Sequence, residues 1–201
     1  MVREPVQAVP TAIAERVGKV RVLVVPYIAC LELGDAVCRL KPKGETHTAA
    51  WVEANERTNL VLACRELDAH DTGFELLASV AELLRPRLNN LELGRYDHLL
   101  EGEIRRGVRG EIDEETFAAK QSFLASRVKR RQRPQFERYR DSSIVATVAE
   151  YVHGLWHDVQ IRTGPEHLPV PQLRERMALM SELFPPNPGY RVFDEAIEKP
   201  E

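Results

Sequence analysis

The chain has 201 residues, 43% of them hydrophobic, and a formal net charge of −3. That is enough apolar material for one substantial core and too little for two independent ones. The negative balance excludes a global basic field of the kind that coats nucleic acid and leaves only local basic patches.

The N-terminal stretch MVREPVQAVPTAIAERVGK mixes acids with bases and has no uninterrupted apolar core, so it does not read as a secretion signal. Residues 22–31 are apolar apart from Pro26, but Arg21 and Glu32 bound the run at about half the length of a membrane span, which predicts a core segment. Within it, KVRVLVV at residues 19–25 is β-branched enough to be a strand. A lone strand leaves its backbone groups unpaired, and no equally clear partner follows, so residues 20–40 are predicted as a buried helix bent at Pro26. The alternative is a short strand or hairpin near residues 19–25, with GYRVF at residues 189–193 as the best partner within the chain.

Helical patterning dominates from residue 45 onward. It predicts helices over residues 45–69, 72–84, 95–107, 113–131, 134–162 and 171–183. Asp71 or Thr72 would cap the second, Pro86 discourages its continuation, and Asp113 would cap the fourth. Prolines at 165, 169, 171, 185, 186, 188 and 200 break the tail into a short helix and extended turns that wrap the body. The expected architecture is therefore all-α: a single-domain helical bundle over residues 1–201 with a Pro-rich extension from residue 163. Cys30, Cys38 and Cys64 are odd in number and lack CxxC spacing, which predicts reduced, buried thiols in a cytoplasmic protein, with no zinc role.

The chemistry concentrates in DSSIVATVAEYVHGLWHDVQIR, residues 141–162. At 100° per residue, Glu150, His153 and His157 fall within about 60° of one another on a helix. An ordinary amphipathic helix would bury Ile144, Val145, Val148, Tyr151, Val152, Leu155 and Val159 and leave the histidines in water. The histidine face, however, is built from Ser143, Ala146 and Gly154 rather than from lysine and arginine. A glycine in mid-helix costs roughly 1 kcal/mol against alanine and suits a close neighbour. Both flanks of this helix are therefore expected to be covered, and Glu150 then needs a partner, because a buried unpaired carboxylate is costly. One such partnership is a buried hydrogen-bond or ion-pair network reaching Arg138 or Arg162.

The other is a metal site. The ExxH pair of Glu150 and His153 and the HxxxH pair of His153 and His157 each stack side chains one turn apart, where two can hold one ion. A third ligand must come from elsewhere, from His70 in AHDTG or from Asp97, His98 and Glu101 in YDHLLEGE. A single ExxH disfavours a di-iron centre. The segment HGLWHDVQI resembles the C-terminal metal motif of the DinB-like helical bundles, with His153, His157, Gln160 and Ile161 in the motif positions and His70 where that family carries its third ligand. The resemblance covers a dozen residues plus one histidine. It implies a mononuclear divalent metal on His70, His153 and His157, with thiol-transferase, hydrolase or isomerase chemistry. From the residues themselves the expected ion is zinc, iron or nickel, with Glu150 as the catalytic group that orients or accepts a proton. HGLWH is also similar to the HDxxH zinc motif of the coenzyme Q biosynthesis scaffold family, with Gly154 in place of the aspartate.

A second constellation is SRVKRRQRPQFERYR, residues 126–140, in which bases interleave with Phe136 and Tyr139. Such a patch can neutralise phosphates while rings stack on bases; the plainer reading is a solvated helix junction at Pro134. Serine-hydrolase, P-loop and dinucleotide signatures are absent. The functional expectation is a metal-dependent transferase or hydrolase acting on a small molecule, with no membrane partner and a homodimer left open. The alternative is a non-enzymatic interaction protein, associated with nucleic acid through Arg127, Lys129, Arg130, Arg131 and Arg133.

Overall fold

The computed structural model describes residues 2–54, 57–126, 129–159 and 161–192, with the side chains of residues 129–131 left aside. In chain order the elements are α1 (Arg3–Ala8), α2 (Thr11–Val17), β1 (Val20–Val25), β2 (Tyr27–Ala29), β3 (Ala36–Cys38), β4 (Thr46–His47), β5 (Ala49–Ala54), β6 (Arg57–Ala63), α3 (Ala69–Leu84), α4 (Asn90–Arg105), α5 (Glu114–Ala125), α6 (Lys129–Trp156) and α7 (Val170–Leu183). The fold is mixed α/β, which overturns the all-α helical bundle expected from the sequence.

Two three-stranded sheets make the difference. In the first, β6 lies at the centre, parallel to β1 and antiparallel to β5; in the second, β2 is flanked by antiparallel β3 and β4. The bent helix predicted over residues 20–40 and the helix predicted over residues 45–69 are both replaced by strands. The strand alternative near residues 19–25 describes β1, but its partner is β6 rather than a hairpin mate. Residues 189–192 form no strand, and Phe193 of GYRVF lies outside the described residues.

The rule that a strand needs a partner holds; the partner was hidden by composition. Leucine, alanine, glutamate and arginine across residues 53–67 favour helix, but TNLVLA is a short apolar run that periodicity alone cannot assign. In the sheet it alternates. Thr58, Leu60 and Leu62 are buried while Asn59, Val61 and Ala63 are partly exposed. Leu60 and Leu62 pack with Leu76 of α3 and with Val20, Val22 and Ala49 from the neighbouring strands.

The helical layer is close to expectation in number but not at its edges. α3 begins at Ala69 because Asp68, not Asp71 or Thr72, accepts from the Asp71 N–H at 2.8 Å. α4 begins at Asn90, ahead of the predicted residue 95, because Asn89 and Glu92 close a reciprocal capping box. Asp113 caps α5 as expected, accepting from the Thr116 N–H. α5 ends at Ala125 and α6 starts at Lys129, so Pro134 lies inside α6 rather than at its start. α7 is no loose wrap: Leu173, Met177 and Met180 are buried against the rest of the core.

α6 is the spine, packed by α1, α3, α4, α5 and α7. Ile144, Val148, Ala149, Tyr151, Val152, His153 and Leu155 are each no more than 5% exposed, so helix faces on opposite sides are covered. Among the described residues no helix is long and apolar enough to cross a membrane.

Candidate metal centre

The first turn of α3 lies against the last turns of α6, and that crossing assembles three imidazoles 83 and 87 positions apart in sequence. The His70 and His153 rings meet edge to face with centroids 5.1 Å apart, and their Nε2 atoms stand 3.1 Å apart. His157 closes the group, its centroid 5.1 Å from that of His70 and 6.2 Å from that of His153.

Aromatic packing holds the set. The Trp156 indole stacks on His70 at 5.4 Å and contacts His157 at 4.5 Å. The Phe74 ring meets His153 edge-on at 5.3 Å. Gly73 makes the approach possible, and Gly154 admits the chain that follows α6. A Cβ on Gly73 would overlap the Trp156 ring, and one on Gly154 would come within 2.6 Å of Val159 Cγ2. Gly154 therefore has the close neighbour its position suggests, whereas Gly73, Phe74 and the bracing role of Trp156 went unread. A glycine one turn into an otherwise regular helix was the available signal.

The three imidazoles differ in environment. His157 is exposed and His70 is partly exposed, whereas His153 is 1% exposed. Burial, reinforced by the neighbouring His70 and His157, pulls the His153 imidazole down to about 4, so it is neutral at physiological pH. Its Nδ1 is buried with no hydrogen-bond partner. At this distance one of the two facing nitrogens donates a proton to the other, or both face a shared cation, since two opposed lone pairs repel. His70 Nδ1 also lies 3.6 Å from Asp71 Oδ1, and ligand-type atoms of Asp68, His70 and Asp71 all fall within 4.8 Å of one another.

Glu150 is 5% exposed and has an interaction partner. It borders a groove of about 1080 Å³ that runs over α6 between α3 and α5 and is lined also by Phe74, Glu82, Arg85, Arg138 and Arg162. Phe74 and Glu150 bring that groove to the edge of the histidine group. Burial, with Glu115 in second place, raises the Glu82 carboxyl above its ordinary range, so this wall of the groove favours a less charged state.

The other candidates lie elsewhere. Asp97 on α4 faces Arg140 on α6 at 3.5 Å, while His98 and Glu101 are exposed on α4. Gln160 of the DinB-like motif lies outside the described residues, as do Arg127 and the side chains of Lys129, Arg130 and Arg131; Ile161 is exposed. Arg133 pairs with Glu137 one turn away. Tyr139, which the nucleic-acid alternative would stack on bases, is fully buried, and Phe136 packs against Phe123.

A second polar cluster, not foreseen, is sealed deeper in the helical body. The Arg176 guanidinium grips Glu103 through Nε and Nη2 at 3.0 and 2.7 Å and Glu111 through Nη1 and Nη2 at 2.8 and 2.9 Å. Lys120 donates to Glu111 Oε1 at 2.8 Å, and the Tyr139 hydroxyl donates to the same atom at 2.5 Å. Tyr96 meets Ser143 and Thr147, and Ser143 receives Arg176 Nη1 at 3.0 Å. Burial alone would raise the Glu111 carboxyl, but Arg176 and Lys120 outweigh it and hold it below its ordinary value. Burial pushes the Tyr96 hydroxyl up to about 12. The signal was in the sequence: Glu103 continues the stripe of Tyr96 and Leu100, and Arg176 sits between Leu173 and Met177 on the apolar face of α7.

Comparisons with protein-family models, with curated proteins and with solved structures returned no match. The case for function therefore rests on this geometry.

Proposed function

We propose that the protein holds one divalent metal between His70, His153 and His157 and acts on a small molecule bound in the adjoining groove, as a metal-dependent transferase or hydrolase. The observation that carries this is the 3.1 Å approach of two Nε2 atoms from helices far apart in sequence, with a third imidazole beside them. Metal–imidazole bonds of about 2.0–2.1 Å place tetrahedral nitrogen ligands roughly 3.4 Å apart, close to that spacing. The donor set fits as well. Three imidazoles suit zinc, iron or nickel, and a ring kept neutral by burial, as His153 is, presents a lone pair at physiological pH. The ligand set is the one implied by the resemblance to the DinB-like bundles, and His70 favours that resemblance over the scaffold-family motif.

Bound there, the ion would lower the pKa of a water or thiol ligand and act as a Lewis acid. The chain's own groups supply the rest. Trp156 and Phe74 fix the ring orientations and exclude water from one side, the groove positions the substrate, and Glu150 accepts a proton from the nucleophile at its carboxylate oxygen. A cytoplasmic setting accords with three free cysteines, although Cys30 is exposed and Cys38 and Cys64 are partly exposed, not buried as the sequence predicts. The rival reading, nucleic-acid association through residues 126–140, is weakened because Tyr139 and Phe136 pack inward.

Metal analysis of protein purified without chelators tests the proposal. One equivalent of zinc, iron or nickel is expected at the histidines of the native chain, and a folded His153→Ala, His157→Ala variant should carry one equivalent less. Metal content unchanged by that double substitution would sink the assignment.

A further inference from the structure

We infer that the small sheet carries a second, independent metal site, in which Cys30, Asp35 and His47 bind a borderline-soft divalent ion of zinc type. The sequence argues against zinc at the cysteines because no CxxC pair exists. The fold supplies a mixed set instead: ligand-type atoms of Cys30, Asp35 and His47 all lie within 4.8 Å of one another.

Backbone pairing places them. Cys30 directly follows β2 and its N–H donates to the Glu45 carbonyl at 2.9 Å; Asp35 directly precedes β3; His47 lies in β4 opposite Ile28. The loop between Cys30 and Asp35 turns back through a Gly34 N–H to Leu31 carbonyl bond, with Gly34 at a φ of 120° that side chains rarely adopt. Three adjacent strand ends thus deliver three donors to one point.

The chemistry of the set selects the ion. Thiolate and imidazole disfavour calcium and magnesium and suit zinc. Zinc–ligand bonds of about 2.0–2.3 Å place tetrahedral donors roughly 3.3–3.8 Å apart, so side-chain rotation of about 1 Å closes the site and leaves a fourth position for water. His47 Nε2 already lies 3.4 Å from Asp35 Oδ1. With the Cys30 proton released to solvent on binding, thiolate and carboxylate together neutralise the ion.

The sheet also needs such a clasp. Its strands have three, three and two residues, and of these only Ile28 and Ala29 are buried, while Leu31, Leu33, Val37 and Leu40 are exposed. A sheet with so little core gains order from a bound ion, because metal binding is coupled to folding.

The test uses cobalt as the probe on the full chain with His70, His153 and His157 replaced by alanine. One equivalent of Co²⁺ with a near-ultraviolet thiolate-to-cobalt charge-transfer band is expected, displaced by Zn²⁺, lost in Cys30→Ser and kept in Cys38→Ser and Cys64→Ser. No band, or a band that survives Cys30→Ser, overturns the site. If the triple variant does not fold by circular dichroism, the native chain decides, since an all-imidazole centre gives no thiolate band. One equivalent without the band removes this site and leaves the histidine centre standing. Two equivalents with a band lost in Cys30→Ser, one equivalent remaining, support both sites; one equivalent with a band lost in Cys30→Ser supports this site and counts against the histidine centre.

Discussion

α6 carries two buried polar clusters of opposite character. Toward its middle, Ser143 and Thr147 join Tyr96, Arg176, Glu103, Glu111, Lys120 and Tyr139 in a network in which two acids balance two bases and the carboxylates accept short, charge-assisted bonds. At its C-terminal end, His153 is as deeply buried but has an orphaned Nδ1 and a neutral ring facing another ring. A satisfied, charge-balanced network specifies packing. A buried polar group left unmatched carries a cost, and Arg85 Nε, Asp97 Oδ1 and Gln135 Oε1 share that state with His153 Nδ1. One helix thus carries a fully paired cluster and an incompletely paired one.

The contrast can be broken most forcefully at Arg176. Replacing it with methionine leaves Glu103 and Glu111 without their principal counter-charge, and a loss of about 3–5 kcal/mol is expected in urea unfolding followed by circular dichroism. A loss under about 1 kcal/mol would show that the network is not sealed from solvent.

Acid should act through the same network. Because the folded Glu111 carboxyl titrates below its ordinary value of 4.5, its contribution to stability is complete above that value and is lost as pH falls through the folded value. Unfolding free energy measured from pH 7 to pH 3 should fall on the acid side. Glu111→Gln should be less stable at neutral pH and show a shallower decline.

Next in size is Gly73→Ala. The added methyl overlaps the Trp156 ring, and overpacking of this kind costs about 1–3 kcal/mol, partly offset by roughly 1 kcal/mol of helix propensity. Metal retention at the histidines should fall with it. In a Trp51→Phe background, the fluorescence of Trp156 should shift, and an unchanged spectrum would mean that the two helices do not meet there.

The smallest stability effect is expected where the chemical effect is largest. His153→Leu replaces an unsatisfied buried ring with an apolar side chain, so metal-free stability should change by less than about 1 kcal/mol. The equivalent of metal held by the histidines should disappear. A large destabilisation of the metal-free protein would instead place His153 among the packing residues, alongside Arg176.

Part of the helical body is legible in the sequence: α3, α4 and α7 carry apolar residues at helical spacing and Asp113 caps α5, whereas α3 and α4 start behind caps at Asp68 and Asn89, ahead of the expected positions. The sheets are not. β6 is only seven residues long, and its Leu60 and Leu62 alternate with Val61 in a window too short to separate strand from helix. The site divides in the same way. His153 and His157 are visible as a pair because helical spacing is local, and Glu150 follows from the same turn. Trp156 and Phe74 acquire their bracing role only from the α3–α6 crossing.

By itself the chain determined local matters: that residues 134–156 are helical, which of them share a face, that small residues invite close neighbours, and where Asp113 would cap, but not that α6 starts at Lys129 and stops at Trp156. Local propensity and spacing suffice for these because they depend on residues a few positions apart. Only the tertiary structure decided that β1 finds β6, that Tyr139 turns inward to Glu111, and that His70 reaches His153 across 83 positions. Pairing, burial and charge compensation between distant segments are set by which surfaces exclude water together, and no short window of sequence contains both surfaces.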